Sequence, residues 1–351
     1  MNRRECYLRA IEFREPHRIP CNINLVPATW CKYKEKLEDI VKQHPFIFGS
    51  KYLEYMEKKN YCEFPPHLRE GFFVDAWGCG WHNVVGGMLG IVVEYPLKRW
   101  DALKTYRVPD VNKDDNGFTI QWEKVRQVVE ENRKKGDLDH QLGLNHGFMF
   151  QRLYYLRSFE NLMIDFAVKD PKLKHLIDIV LERNMKLIYK WLEIRPDIIY
   201  FGDDLGMQDS LPISPVLWRK YIKPCYKKMF KIVRQQGVHV YFHTDGYILD
   251  IIPDLIECGI SVLNPQSRSN GIDKIAKLCK EKVCVAIDLD RQEVLPHGNA
   301  RDIRDHIKEA VVKLGSKKGG LILHAGVYPD VPLDNIKALC QAMEDYSTYY
   351  S

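Results

Sequence analysis

The stretch YFHTDG (241–246) sets His243 and Asp245 two residues apart, after the apolar run VHVY and before a glycine. Residues i and i+2 of a strand face the same way, so this imidazole and carboxylate can point together from a strand's end. Such a pair suits one of two tasks. Both groups can ligate a metal such as zinc, or, without a metal, the carboxylate can fix the imidazole tautomer and raise its basicity. Asp203 and Asp204 follow IIYFG in the same manner, and Asn264 with Gln266, Asp288 with Arg291, and His324 each close a later apolar run, as Asn145 and His146 close an earlier one. Polar residues ordinarily terminate strands, so the weight rests on their accumulation.

Each group carries a chemical and a purely architectural reading. Asp203 and Asp204 can orient a substrate hydroxyl or tune His243, or one can cap the LGMQ segment that follows. Asn264 and Gln266 suit a carbonyl or hydroxyl, or a turn. Arg291 suits an anionic substrate group, or an ion pair with Asp288 or Asp290. Trp77, Trp81, Phe148 and Tyr154 can wall a flat substrate or fill the core.

Positioning these groups falls to an alternation of short apolar runs with helical patterns. IIYFG, VHVYF, ISVLNPQ, VCVAID and LILHAG read as strands apolar on both faces, separated by SPVLWRKYIKPCYKKMFKIVRQQG, ILDIIPDLIECG, GIDKIAKLCKEK and ARDIRDHIKEAVVKLG as helices. A parallel sheet covered by helices requires this pattern. RIPCNINL (18–25) and HQLGLNHGF (140–148) can add strands, and Asp170-Pro171 opens a long amphipathic helix. Residues from about 26 to 135 read as an elaboration, with a helical piece at 32–59 and a hairpin in VVGGMLGIVVEYP. The expected fold is a (β/α)8 TIM barrel with an N-terminal helical and hairpin extension, one domain over 1–351, in preference to an open doubly wound sheet. In such a barrel the carboxyl ends of the strands converge on one mouth, where residues 203, 243, 264, 288 and 324 would meet.

The 351 residues, 45% apolar and 28% charged, can build one large core. A net charge of +5 from 52 basic and 47 acidic residues, with no long basic block, gives no nucleic-acid footprint. No apolar run approaches the roughly 18 residues that cross a bilayer, and no secretion signal opens the chain, so a cytoplasmic protein is expected. Its ten cysteines show no paired CxxC spacing and read as buried free thiols. GGMLG lacks the GxGxxG spacing of a dinucleotide fold, which argues against a nicotinamide oxidoreductase.

HRIP (17–20), DAWG (75–78), GDDLGMQ (202–208), ISPVLWRKYIKP (213–224), HTDG (243–246), LNPQ (263–266), DLDRQEVLPHG (288–298) and VPLDNI (331–336) resemble, in order and spacing, the uroporphyrinogen decarboxylase superfamily. The resemblance runs from about residue 2 to 346 and is strongest to the branch of corrinoid-linked methyltransferases. It implies a barrel whose mouth receives substrate or a methylated corrinoid. The haem-pathway decarboxylase of that superfamily holds tetrapyrrole carboxylates with paired arginines. HRIPCNINLVPATWCKYK offers only Arg18 in that region, so the carboxylates would lack guanidinium partners.

The methyltransferase branch holds zinc with a His-x-Cys pair and a late Cys. His243 falls on the first position, Asp245 replaces the cysteine, and Ala325 stands at the late position, with His324 adjacent as a substitute ligand. Loss of both thiolates disfavours thiol activation and points to the donor side of methyl transfer. The resemblance thus implies a methyltransferase moving a methyl group from a small methylated compound, first of all an aryl methyl ether, to a corrinoid-binding partner protein, with zinc optional. A decarboxylase or lyase acting on a carboxylated molecule without corrinoid, and a non-catalytic binding protein, are the alternatives.

Overall fold

The computed structural model describes residues 1–49, 52–138 and 142–351, and of residues 54 and 55 only the backbone. Nine strands are present among them: β1 (Cys21–Leu25), β2 (Gly71–Val74), β3 (Gly80–Asn83), β4 (Ile91–Glu94), β5 (Ile198–Gly202), β6 (His239–Thr244), β7 (Val262–Pro265), β8 (Cys284–Asp288) and β9 (Leu321–Val327). β1 and β5 to β9 belong to an open parallel sheet of six strands, and β2-β3-β4 form an antiparallel sheet. The closed eight-stranded barrel expected from the alternation and the resemblance is therefore corrected to an α/β fold with six parallel strands among the described residues, plus additional helices.

The candidate strand at 140–148 shows why the count falls short. Residues 140 and 141 lie outside the described residues. From Leu142 onward the chain runs parallel to β5, with Tyr200 N–H donating to Leu142 O at 2.8 Å and Leu144 N–H to Tyr200 O at 3.0 Å. It makes one isolated bridge, Gly143 to Tyr200, and then bends. Gly143 has φ +157°, and a Cβ there would lie 2.2 Å from Tyr200 O, so only glycine lets the segment approach so closely.

The described chain gathers into two compact units, Met1–Glu70 with Val84–Leu89 and Val262–Ser351, and Gly71–Asn83 with Gly90–Ser261. In the first, β1, β9, β8 and β7 pair in parallel, with Asn22 and Asp288 both in register with His324. β8 is buried throughout and β9 nearly so, as expected of strands apolar on both faces. The helix Ala300–Leu314 starts on a capping box, Asn299 with Asp302. The helical piece expected at 32–59 resolves into Pro27–Tyr33, Glu35–Gln43, Pro45–Phe48 and Leu53–Lys58, with residues 50 and 51 outside the described residues. One cysteine reading needs correction: Cys31 and Cys62 form a disulfide, while the other eight are free and buried as expected. The helix starting at Pro27 and the stacking of Trp30 on Tyr61, with ring centroids 6.0 Å apart, bring the two thiols together, a proximity that sequence spacing does not reveal.

In the second unit β5 and β6 pair in parallel, Gly202 opposite His243. The helix Pro171–Ile194 begins where Asp170-Pro171 predicts, with the Asp170 carboxylate accepting from Lys172 N–H at 2.8 Å. The pattern around Pro224 resolves into two helices, Pro215–Tyr221 and Lys223–Gln235. Of the hairpin expected in VVGGMLGIVVEYP, the second half forms β4, whose partner β3 lies before that stretch. Among the described residues no helix is long and apolar enough to cross a membrane.

Candidate functional site

The ends of β5 and β6 are fastened to each other by backbone. Asp203 N–H donates to His243 O at 3.0 Å, Gly206 N–H to Asp245 O at 3.2 Å and Tyr247 N–H to Met207 O at 2.8 Å. Gly246 has φ +78°, and a Cβ there would lie 2.3 Å from Gly206 O. The glycine of HTDG is thus required both by its dihedral and by the approach of the neighbouring loop. Gly202 has an equivalent task for a side chain: a Cβ there would sit 2.5 Å from His146 Nδ1, so its absence lets the His146 ring lie against β5.

Three potential ligands meet at this end of the strands. One donor atom from each of His146, Asp204 and His243 lies within 4.8 Å of the other two, the one such group among the described residues. His146 Nε2 is 3.1 Å from Asp204 Oδ2, and the His146 and His243 rings are 5.4 Å apart by their centroids. Asp245 adds a carboxylate 3.3 Å from His243 Nε2, as the same-face argument requires, and its backbone N–H donates to Asp204 Oδ1 at 3.0 Å. Burial pushes the Asp204 carboxyl up, but the adjacent His146, with its charge and its hydrogen bond, and His243 outweigh it and hold the group below its ordinary range.

Gln151 clasps Asp204 from behind. Its Oε1 accepts from Asp204 N–H at 2.9 Å, and its Nε2 donates to Asp204 Oδ2 at 3.0 Å and to the Tyr155 hydroxyl at 2.9 Å. The sequence reading missed Gln151. FMFQRLYYL drew attention through its aromatics, and a glutamine on a helix gives no periodic signal of its own.

Asp203 takes a different place from its neighbour. It is fully buried and accepts from Phe150 N–H at 2.5 Å, Gln151 N–H at 2.8 Å and the Tyr226 hydroxyl at 2.5 Å. It caps the helix Phe150–Arg157, rather than the LGMQ segment considered for one of the two acids. Burial pushes its carboxyl up to about 6, against the pull of those three donors.

The four aromatic candidates sort unevenly. Trp77 and Trp81 are buried, and their indole N–H groups donate to Asp115 and Asp75, both at 3.0 Å. Those acids also hold Arg152, at 2.9 Å each, and Arg183 reaches Asp115 at 3.0 Å, with both guanidiniums about 5 Å from the Trp77 ring. Phe148 is buried against Phe201 and Tyr226. Tyr154 and Asn145 remain half-buried.

The remaining candidates belong to the first unit. Asn264 Nδ2 donates to Ala286 O at 2.5 Å, and Gln266 bridges Asp288 in parallel. Arg291 Nη1 lies 3.7 Å from Asp288 Oδ2 and donates to the Tyr328 hydroxyl at 3.3 Å, while its guanidinium sits 5.3 Å from the Tyr328 ring centroid. His324 Nδ1 accepts from Asn22 Nδ2 at 3.0 Å, its cross-strand neighbour, and Ala325 is fully buried.

A family model described as uroporphyrinogen decarboxylase (URO-D) matches residues 73–346. The chain is 24% identical over 173 residues to methylcobamide:CoM methyltransferase MtaA of Methanosarcina barkeri, a stretch covering 48% of each protein, so it spans about half the length of the curated relative it matches. A methyltransferase from Methanosarcina mazei shares the fold, with a TM-score of 0.65 over 100% of both chains at 18% identity.

Proposed function

The chain belongs to the uroporphyrinogen decarboxylase family, and from that premise we propose that it is a corrinoid-dependent methyltransferase, taking a methyl group from a small O-methylated donor and delivering it to a corrinoid held by a partner protein. The observation that carries this reading is the polar cluster of Asp204, His243 and Asp245 at the ends of β5 and β6 with His146 on the neighbouring segment, in a chain similar to a methylcobamide methyltransferase. The absence of paired arginines around Arg18 further favours it over tetrapyrrole decarboxylation.

When the methyl carbon leaves its oxygen, the bonding pair stays on that oxygen, and charge develops there unless a proton or a cation meets it. With no ion bound, a protonated His243, its Nε2 3.3 Å from Asp245 Oδ1, would supply that proton, and the Asp245 carboxylate would stabilise the imidazolium. Asp204 and His146 hold each other at 3.1 Å beside that pair, and the hydrogen bond from Asp245 N–H to Asp204 fixes the two pairs relative to one another. Two imidazoles and a carboxylate also fit zinc with a coordination position left open, and an ion bound there would supply Lewis-acid polarisation of the leaving oxygen. Of the aromatic residues expected to wall a flat donor, Tyr154 is half-buried and the other three are buried. Aryl methyl ethers remain the first compounds to try, alongside smaller methyl donors.

One observation favours a second reading. Arg291, steadied by Tyr328 and Asp288, suits a carboxylated substrate, as a decarboxylase or lyase would need. The two are separated by incubating the protein with reduced corrinoid, a corrinoid-binding protein from the same genome and a panel of methyl donors, following methylcobalt and demethylated product. His243→Ala is expected to lower the transfer rate at least 100-fold. Decarboxylation by the wild type without corrinoid, and no methylcobalt in the complete assay, would replace the proposal with the lyase.

A further inference from the structure

We infer that His146, Asp204 and His243 are the ligand set of a divalent cation, with Gln151 orienting its carboxylate, in place of the His243, Asp245 and His324 set that the family pattern implies. The assignment deepens the methyl-transfer reading and rests on it for the ion's role, but the ion can be observed without substrate or corrinoid.

The geometry favours the new set. A tetrahedral ion with bonds of about 2.0 to 2.2 Å places its donor atoms roughly 3.3 Å apart. His146 Nε2 and Asp204 Oδ2 already stand at 3.1 Å, and the widest separation in the trio is no more than 4.8 Å. His324 is engaged elsewhere, and Asp245 stands beside the trio as a neighbour of His243. The Asp245 carboxylate lies beside His243 Nε2 and its backbone N–H is given to Asp204, while the Nδ1 lone pair of His324 accepts from Asn22.

The supporting shell points the same way. A ligating carboxylate is itself oriented by hydrogen bonds from the residues behind it. Asp204 receives Asp245 N–H on Oδ1 and Gln151 Nε2 on Oδ2, and Gln151 is itself fixed by accepting Asp204 N–H and donating to the Tyr155 hydroxyl. Gln151 is 5% exposed, so its amide is committed to this arrangement rather than to solvent. Gly202 provides the matching allowance for His146.

The donor chemistry names the class of ion. Two imidazole nitrogens and one carboxylate oxygen, with no thiolate, make a borderline-to-hard site suited to zinc, cobalt(II) or nickel(II), and unlike the sulfur-rich sites that select soft ions. Protein stripped with chelator and titrated with cobalt(II) is expected to bind one ion per chain, with visible d–d absorption and no sulfur-to-metal charge-transfer band. By equilibrium dialysis with zinc, His146→Ala and Asp204→Ala should each weaken binding at least 100-fold, and Gln151→Leu by about 10- to 100-fold. Asp245→Asn and His324→Ala should stay within about threefold of wild type. His146 is exposed, so the fold should tolerate His146→Ala even if Gln151→Leu does not fold. Loss of the ion in Asp245→Asn or His324→Ala with wild-type binding in His146→Ala would overturn the assignment, as would a failure to bind cobalt(II) or zinc at all. Ion binding by this set without methyl transfer would leave it standing and refute the methyl-transfer reading instead.

Discussion

Replacing Asp203 tests whether a buried acid beside the site serves architecture or chemistry. Its side chain satisfies three donors inside the protein: the first two backbone N–H groups of the helix Phe150–Arg157 and the Tyr226 hydroxyl. Asp203→Ala strands all three. At about 1 to 3 kcal/mol for each buried donor left without a partner, and with partial relaxation, the variant should lose about 3 to 6 kcal/mol of stability. Asp203→Asn keeps one acceptor oxygen and should lose about half as much. A pH signature accompanies this. Because burial raises the folded-state pKa from 3.8 to about 6, the folded chain keeps a proton that the unfolded chain gives up between those values. That contribution is fully present below about pH 4 and is lost as pH rises through 6, an amount of about 3 kcal/mol. Urea unfolding of wild type and Asp203→Asn from pH 4 to 7 isolates it, since the difference between the two curves should change across this interval and then level off. An Asp203→Ala variant that unfolds at the wild-type urea midpoint yet has lost methyl transfer would refute the reasoning and return Asp203 to the chemistry.

Three further outcomes are expected. Arg152→Met removes the shared partner of Asp75 and Asp115 in a fully enclosed setting and should cost about 3 to 5 kcal/mol in urea unfolding, with unchanged stability refuting a structural role for the cluster. Gly202→Ala pushes a methyl group into His146 and should reduce methyl transfer as far as His146→Ala does; full activity would show that the ring is free to move aside. Thiol titration of the native protein should detect no rapidly reacting cysteine, and mild reductant should release two, from Cys31 and Cys62. Labelling of Cys62 before reduction would disprove the bridge.

The strands that carry the site were legible because their chemistry is local. VHVYF, VCVAID and LILHAG are apolar on both faces, and the elements they predict are the ones observed. The alternation of His243 and Asp245 likewise put both side chains within 3.3 Å of each other. Barrel closure was not legible, because it depends on pairing that no periodicity encodes: the segment from Leu142, which Gly143 allows close to β5, makes one isolated bridge there and then bends. The division of labour between Asp203 and Asp204 was also hidden. Two adjacent acids after a strand look alike in sequence, and only the arrival of the helix Phe150–Arg157 turns one into its cap and leaves the other to His146. The aromatic residues misled for a related reason: Trp77 and Trp81 are amphipathic enough to line a pocket, and the buried acids that take up their N–H groups include Asp115, far away in the chain.

That ionic cluster bears on how relatives of this chain could be recombined. Asp75 and Asp115 come from the stretch that reads as decoration, whereas Arg152 and Arg183 sit on the helices Phe150–Arg157 and Pro171–Ile194. Two positive and two negative charges are sealed together with Trp77 between them, so the region around 71–115 cannot be treated as a detachable cassette. A chimera that imported this stretch from a homologue lacking Asp115 would take the carboxylate from Arg183 and one of two from Arg152, and one lacking Asp75 would leave Arg152 a single acid. Crossover points for shuffling therefore belong outside 75–183, or the four charges must travel as one inheritance.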